Sequence, residues 1–277
     1  MPTFTLPDGD TLAYETYGDG EPLLLVTGTC LAMQHWPPPV VDALAADYRV
    51  IVYDHRGMGA SSPSGADVSM RSLAADAAAL LDHLEVGAAH ILGWSLGSAV
   101  SQELALARPD LVASLVLYAT WGRADGFLRC LLMGMRTPWV HGDAANGVAV
   151  LGVGQSPEGL ENPELLAAIA AGFPFMPHTP EQIAMTARQW DADGAHDSLD
   201  RLPGITAPTT VIVGEQDLLT PPRLSRAVAE RIPGARFVLV EGAGSSHGMI
   251  YERPDDLLDL VREHLRSHSR GADMARR

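Results

Sequence analysis

Lysine is missing from this sequence, and all 19 basic residues are arginine. Alongside heavy use of alanine and glycine, the absence reads as the codon bias of a GC-rich genome and not as a functional signal. Against 34 Asp and Glu, those arginines leave a formal net charge of −15 and a pI near 4.9. Such a surface repels polyanions, so no nucleic-acid partner is expected. Cysteine is scarce too. Cys30 and Cys130 stand far apart with no C-x-x-C spacing, which excludes a disulfide framework or thiolate metal site and fits a reducing compartment. No apolar run approaches the roughly 18 residues that span a bilayer. Met1 to Asp10 carries neither a basic n-region nor an apolar h-region. The expectation is a soluble, cytoplasmic protein with no membrane partner. Also lacking are H-E-x-x-H, a P-loop and a strand-linked G-x-G-x-x-G, since Gly57-Met58-Gly59 has no third glycine. No metal or nucleotide site emerges, and the expected chemistry uses no cofactor.

What remains is a chain of 277 residues, 47% hydrophobic and 19% charged, enough for one large α/β domain or a domain with an inserted subdomain. Thr3 to Tyr17 reads as two short strands turned at Pro7-Asp8-Gly9-Asp10. Compact apolar runs of strand length follow at Pro22–Val26, Arg49–Tyr53, Ala89–Leu92, Leu111–Tyr118, Thr209–Val213 and Arg236–Val240. Between them the apolar residues recur at helical spacing. Leu73, Ala77, Leu80, Leu81 and Leu84 form one face, Ser95–Arg108 carries a similar pattern, and Leu257, Leu258, Val261 and Leu265 mark another. This alternation calls for parallel crossovers and a sheet covered on both faces.

One region breaks the rhythm. Residues 121–202 hold no strong strand, are punctuated by Gly and Pro, and read as an inserted helical lid between a core of residues 1–120 and 203–277. Its Trp139, Phe173, Phe175 and Trp190 could form the lid's own small core, or as a group wall an apolar pocket. The tail from Ser267 to Arg277 is polar and expected to fray.

Directly after the Ala89–Leu92 strand stands Gly93-Trp94-Ser95-Leu96-Gly97, followed by a helix-forming run. A G-x-S-x-G between strand and helix holds its serine in a strained turn at the carboxyl edge of the sheet, with glycines where backbone must approach closely. A serine hydroxyl needs a base. Of ten histidines, His247 follows the Arg236–Val240 strand through Glu241–Ser246, and a loop at a strand's carboxyl end can meet Ser95. The acid that would orient it is Asp217, at the carboxyl end of Thr209–Val213, with Glu215 its nearest competitor and Asp125 a further one. The order Ser, Asp, His is the one this constellation has after a strand–turn–helix elbow. His35, His141, His178 and His196 are scattered and read as surface or pocket-lining residues.

These residues resemble the α/β-hydrolase superfamily over nearly the whole chain outside the lid. Asp54-His55-Arg56-Gly57-Met58-Gly59-Ala60-Ser61 is similar to the family's D-x-R-G-x-G-x-S, and His247 to Pro254 resembles its H-x-x-x-x-E-x-P. The resemblance implies a mostly parallel eight-stranded sheet with helices on both faces, a structural role for Asp54 and Arg56, and an oxyanion hole from the backbone N–H groups of Thr29 and Leu96. The chain departs from the family at two places. Thr27-Gly28 stands where His-Gly is common, and Gly242-Ala-Gly-Ser-Ser-His247 is two residues longer than G-x-G-H.

The leading expectation is a serine hydrolase cleaving an ester, thioester or lactone of a hydrophobic small molecule, with Trp94, Trp139, Phe173 and Trp190 as substrate-binding candidates. The same three side chains also serve carbon–carbon bond hydrolases, cofactor-free perhydrolases and natural-product cyclases or methylesterases. A ligand receptor on a hydrolase scaffold is the reading from a different class.

Overall fold

The computed structural model describes residues 1–269. Eight strands form one sheet: β1 (Thr3–Thr5), β2 (Thr11–Tyr17), β3 (Glu21–Val26), β4 (Tyr48–Tyr53), β5 (Ala89–Trp94), β6 (Val112–Tyr118), β7 (Thr209–Gly214) and β8 (Arg236–Val240). Their order is β1-β2-β4-β3-β5-β6-β7-β8, antiparallel at β1/β2 and β2/β4 and parallel at the other junctions. The sheet is therefore mostly parallel and eight-stranded, as the resemblance implied. The apolar runs match β3 to β8 to within one or two residues, and Leu111 falls in a 3-10 turn opened by Pro109 just before β6.

The central strands have no polar face because both sides of the sheet are covered. In β3, Leu24 and Val26 join one apolar cluster while Leu23 and Leu25 join the other, the period of two that a strand imposes. Helices α1 (Pro38–Ala45), α2 (Met70–His83) and α3 (Leu96–Ala107) come first in the chain. Leu73, Leu80 and Leu81 of α2, with Leu96 and Val100 of α3, fill the first cluster, and Val40 and Leu44 of α1 fill the second.

Between β6 and β7 the chain forms five helices: α4 (Gly126–Val140), α5 (Ala144–Val150), α6 (Pro157–Leu160), α7 (Pro163–Ala170) and α8 (Pro180–Ala195). Its two ends meet. Arg123 and Asp197 form a β-bridge and an ion pair of 2.7 Å, and the Ser198 amide donates to the Gly122 carbonyl at 2.8 Å. After β7 come α9 (Pro222–Ala229), α10 (Met249–Glu252) and α11 (Pro254–His268). Of the tail expected to fray, Ser267 and His268 still belong to α11, and residues 270–277 lie outside the described residues. Among the described residues, no helix is long and apolar enough to cross a membrane.

Candidate active site

The parallel strands β5, β7 and β8 end side by side, and the loops leaving them carry the three residues singled out above. Ser95 follows β5 with φ 56° and ψ −122°, outside the region a residue with a Cβ prefers. The flanking glycines explain how the turn is tolerated. A Cβ on Gly93 would lie 2.5 Å from the Gly97 carbonyl and from Ser101 Oγ, and one on Gly97 would collide with the Val26 carbonyl. Strand β3 and helix α3 are pressed against the turn so closely that only glycine fits at either side.

Asp217 follows β7 and is almost fully buried. Its carboxylate accepts the Thr220 amide (2.8 Å) and the Thr220 hydroxyl (2.9 Å). His247 follows β8, and its Nδ1 lies 3.1 and 3.0 Å from the two Asp217 oxygens. With Nδ1–H donating to the carboxylate, Nε2 is left as the acceptor. The loop carrying the imidazole is held from both sides: the Tyr118 hydroxyl donates to the His247 carbonyl, and the Gly248 amide donates to the Gly154 carbonyl at 2.8 Å. Glu252, the acid of the H-x-x-x-x-E-x-P ending, accepts from the Ser246 hydroxyl and from the Ser156 amide (2.9 Å), tying the lengthened loop to the start of α6. The competing acids are elsewhere. Asp125 caps α4 through the Leu128 amide (2.8 Å) and pairs with Arg223 (2.8 Å), while Glu215 accepts the Gly242 amide (3.0 Å).

Ser95 and His247 line one cavity of about 260 Å³. No hydrogen bond joins the Ser95 hydroxyl to the imidazole among the described residues. The Thr29 and Leu96 backbone N–H groups likewise take no partner among the described residues. Thr29 is in the cavity wall, and Leu96 opens α3, where the first amides have no partner within the helix. The next residue, Cys30, adopts φ 61°, and its amide donates to Gln189 Oε1 at 2.8 Å. The Thr29 hydroxyl is hydrogen-bonded to Asp193 Oδ2 at 2.7 Å. Both partners belong to α8. Asp193 is almost fully buried, and that burial pushes its carboxyl up to about 8.

Of the aromatic candidates, Trp94, Phe173 and Trp190 line this cavity. Trp139 does not. Its indole packs on Gly147, where a Cβ on that glycine would lie 2.5 Å from the ring, so it sits between α4 and α5 in the apolar cluster that continues to the sheet. Phe175 is half exposed and stands edge-on to His35 at 6.4 Å between ring centres. His35 lines the cavity, and burial holds its imidazole below the usual range. The remaining wall is chiefly aliphatic, including Val148, Leu151, Leu166, Ile169 and Leu219, and among the described residues contains no arginine. Gln189 and Asp193 escaped the sequence reading because a polar pair on an amphipathic helix looks like a solvated face.

Asp54 and Arg56 hold structure, as the resemblance implied. The Asp54 carboxyl accepts the Met33 (2.6 Å) and Ala60 (2.8 Å) amides, and burial pushes it up to about 6. Arg56 is paired with Asp76 at 2.5 Å and with Asp8 at 2.8 Å.

A mostly parallel eight-stranded sheet with a glycine-flanked serine at its carboxyl edge defines an α/β hydrolase, and the chain belongs to that family: the family model for the alpha/beta hydrolase fold matches residues 21–252. The chain is 36% identical over 256 residues to a protein of Azorhizobium caulinodans provisionally named a carbamate hydrolase, covering 90% of this chain and 93% of the relative. It is 32% identical to the rhodomycin D methylesterase of a Streptomyces species, over 92% of this chain and 95% of that one. Among solved structures it is similar to a thermophilic esterase from Thermogutta terrifontis, with a TM-score of 0.82, 30% identity, and coverage of 96% of this chain and 97% of the other.

Proposed function

We propose that the protein is a serine hydrolase that cleaves an ester, thioester or lactone of a neutral, hydrophobic small molecule through an acyl-enzyme on Ser95. One observation carries the reading. A buried carboxylate–imidazole pair, Asp217–His247, and a serine in a left-handed elbow open into the same apolar cavity.

In this mechanism His247 Nε2 takes the proton from Ser95 Oγ as that oxygen bonds to the substrate carbonyl carbon. Asp217 holds the imidazole in the tautomer with Nδ1 protonated and stabilises the cation that forms. The negative oxygen of the tetrahedral intermediate is received by the N–H groups of Thr29 and Leu96. As the intermediate collapses, the carbon–oxygen or carbon–sulfur bond to the leaving group breaks, and His247 returns the proton to it. Water then attacks the acyl carbon with His247 again as base, releasing the acid and restoring Ser95. In this mechanism the Ser95–His247 hydrogen bond forms when substrate excludes water from the site.

The cavity wall argues for the substrate class. A carboxylate or phosphate on the substrate would meet no arginine there, and transferring it unpaired from water is heavily unfavourable. At about 260 Å³ the cavity lies near the lower edge of the range for small-molecule sites, favouring a short acyl chain or a single ring over a polycycle. The relatives named a methylesterase, an esterase and a carbamate hydrolase support the same chemistry. Turnover of short-chain p-nitrophenyl esters by the wild type, lost in Ser95→Ala, is the expected result. A folded wild type with no activity on any ester, thioester or lactone would leave the receptor reading in its place.

A further inference from the structure

We infer that Gln189 and Asp193 of the inserted helix α8 are positioning residues for the oxyanion-binding loop Gly28–Cys30, so that the insertion completes the catalytic centre in addition to covering it. The inference rests on the serine-hydrolase reading and adds a role for two side chains that the reading leaves unused.

The two residues are one turn apart, so both project from the same face of α8. Gln189 Oε1 accepts the Cys30 amide at 2.8 Å, and Asp193 Oδ2 shares the 2.7 Å bond with the Thr29 hydroxyl. Cys30 is a non-glycine residue at φ 61°, a conformation that persists only when its surroundings enforce it. The Gln189 contact does so from across the interface. With the Cys30 amide and the Thr29 hydroxyl both engaged by α8, the Thr29 backbone N–H is left free for a developing oxyanion. If α8 moved away, both anchors would go with it.

Asp193 is suited to this as a neutral acid. Its second oxygen, Oδ1, is buried without a partner, and Thr29 supplies its one hydrogen bond. Nearby charges are committed elsewhere: Arg136 of α4 pairs with Asp191, Arg188 donates to the Ser64 and Ala66 carbonyls, and Arg201 and His196 face Glu103. The Cys30 thiol beside it is held protonated by burial first and then by the Asp193 charge, so it offers no compensating cation. An ionised carboxylate would stand there uncompensated. Protonated, Asp193 accepts the Thr29 hydroxyl on Oδ2 and carries no charge. Ionisation, pushed by burial up to about 8, places a bare charge behind the loop.

The test is steady-state hydrolysis of p-nitrophenyl acetate from about pH 6 to pH 9.5, with the affinity of an alkyl boronic acid, whose tetrahedral adduct on Ser95 mimics the intermediate. Gln189→Ala and Asp193→Ala are each expected to lower kcat by about ten- to a hundredfold with KM within about threefold, and to weaken boronate binding by the same factor as kcat/KM. Asp193→Asn keeps a neutral acceptor for the Thr29 hydroxyl, so it is expected to restore kcat to within several-fold of wild type and to lack the alkaline decline near pH 8 expected of the wild type. Variants that leave kcat and boronate affinity intact while the wild type is active overturn the inference alone. So does a loss in which KM and thermal stability fall away in step with kcat, or an alkaline decline that survives in Asp193→Asn. An inert wild type overturns the hydrolase reading and this inference together.

Discussion

His247 Nδ1 sits 3.1 and 3.0 Å from the two carboxylate oxygens of Asp217, a residue 30 positions earlier on a different loop, and Thr220 fills the carboxylate's remaining hydrogen-bonding positions. Asp217→Asn replaces the acceptor by an amide that favours the wrong imidazole tautomer. The expected loss is about 10⁴-fold in kcat with little change in KM. Asp125→Asn is expected to keep kcat within about threefold, because that carboxylate serves the start of α4 and Arg223. Steady-state kinetics of the two variants on one ester decide between the acids. Damage from Asp125→Asn in place of Asp217→Asn would reassign them.

The elbow imposes a steric limit that is independent of chemistry. Gly97→Ala places a methyl group into the Val26 carbonyl, backbone against backbone, where no flexible side chain can yield. Destabilisation of about 3 kcal/mol or more is expected, measured as a lower urea midpoint with an unchanged slope. Gly134, with open space around its Cβ position on α4, is the control. Gly134→Ala is expected to be neutral or slightly stabilising.

The large aromatics of the insertion divide by what they touch. Trp139→Ala removes a buried indole from the packing between α4 and α5, so stability should fall by about 3–5 kcal/mol while KM for a short ester stays within about twofold. Phe173 is half exposed at the cavity wall. Phe173→Ala should leave the unfolding midpoint nearly unchanged and raise KM for longer acyl chains. A KM effect from Trp139→Ala equal to that from Phe173→Ala would contradict the division.

Stability should depend on pH in a way that buried groups set. Burial holds the imidazoles of His55 and His196 down to about 4 and of His264 to about 3, and lowers that of His35. As pH falls through 6.5 the unfolded chain protonates these four and the folded protein does not, so stability is lost. Asp54, Asp76 and Asp193 are raised by burial and act with the opposite sign. The histidine contribution rises with pH up to about 6.5; above that, stability falls toward pH 8 because the unfolded chain has ionised Asp193 while the folded protein keeps it protonated, and the fall ends as the folded carboxyl ionises. Urea midpoints at about pH 5, 6.5 and 8.5 test this. Asp193→Asn should remove the alkaline part of the fall.

The strands and the sheet they build were legible in the sequence for local reasons. Buried parallel strands are continuous apolar runs such as Thr209–Val213, and Gly93 is required by the turn it opens, whereas Gly97 is required by the Val26 backbone of β3. The direction of a side chain in the insertion was not legible. Trp139 and Trp190 are equally apolar, and only the packing of α4 and α8 sends one inward to Gly147 and the other to the cavity. The contacts of Gln189 and Asp193 span 159 and 164 residues, and no local pattern announces such a pair. The resemblance supplied Thr29, but the chain's own departure from His-Gly is accompanied by support from α8.

The most direct test is reaction of the intact protein with a fluorophosphonate, read by intact mass and peptide mapping. The expected result is one adduct per chain, located on Ser95, formed by the wild type and slowed by orders of magnitude in His247→Ala. A folded wild type that forms no adduct, or one that forms it at another residue at the same rate with and without His247, would contradict a serine nucleophile activated by the Asp217–His247 pair.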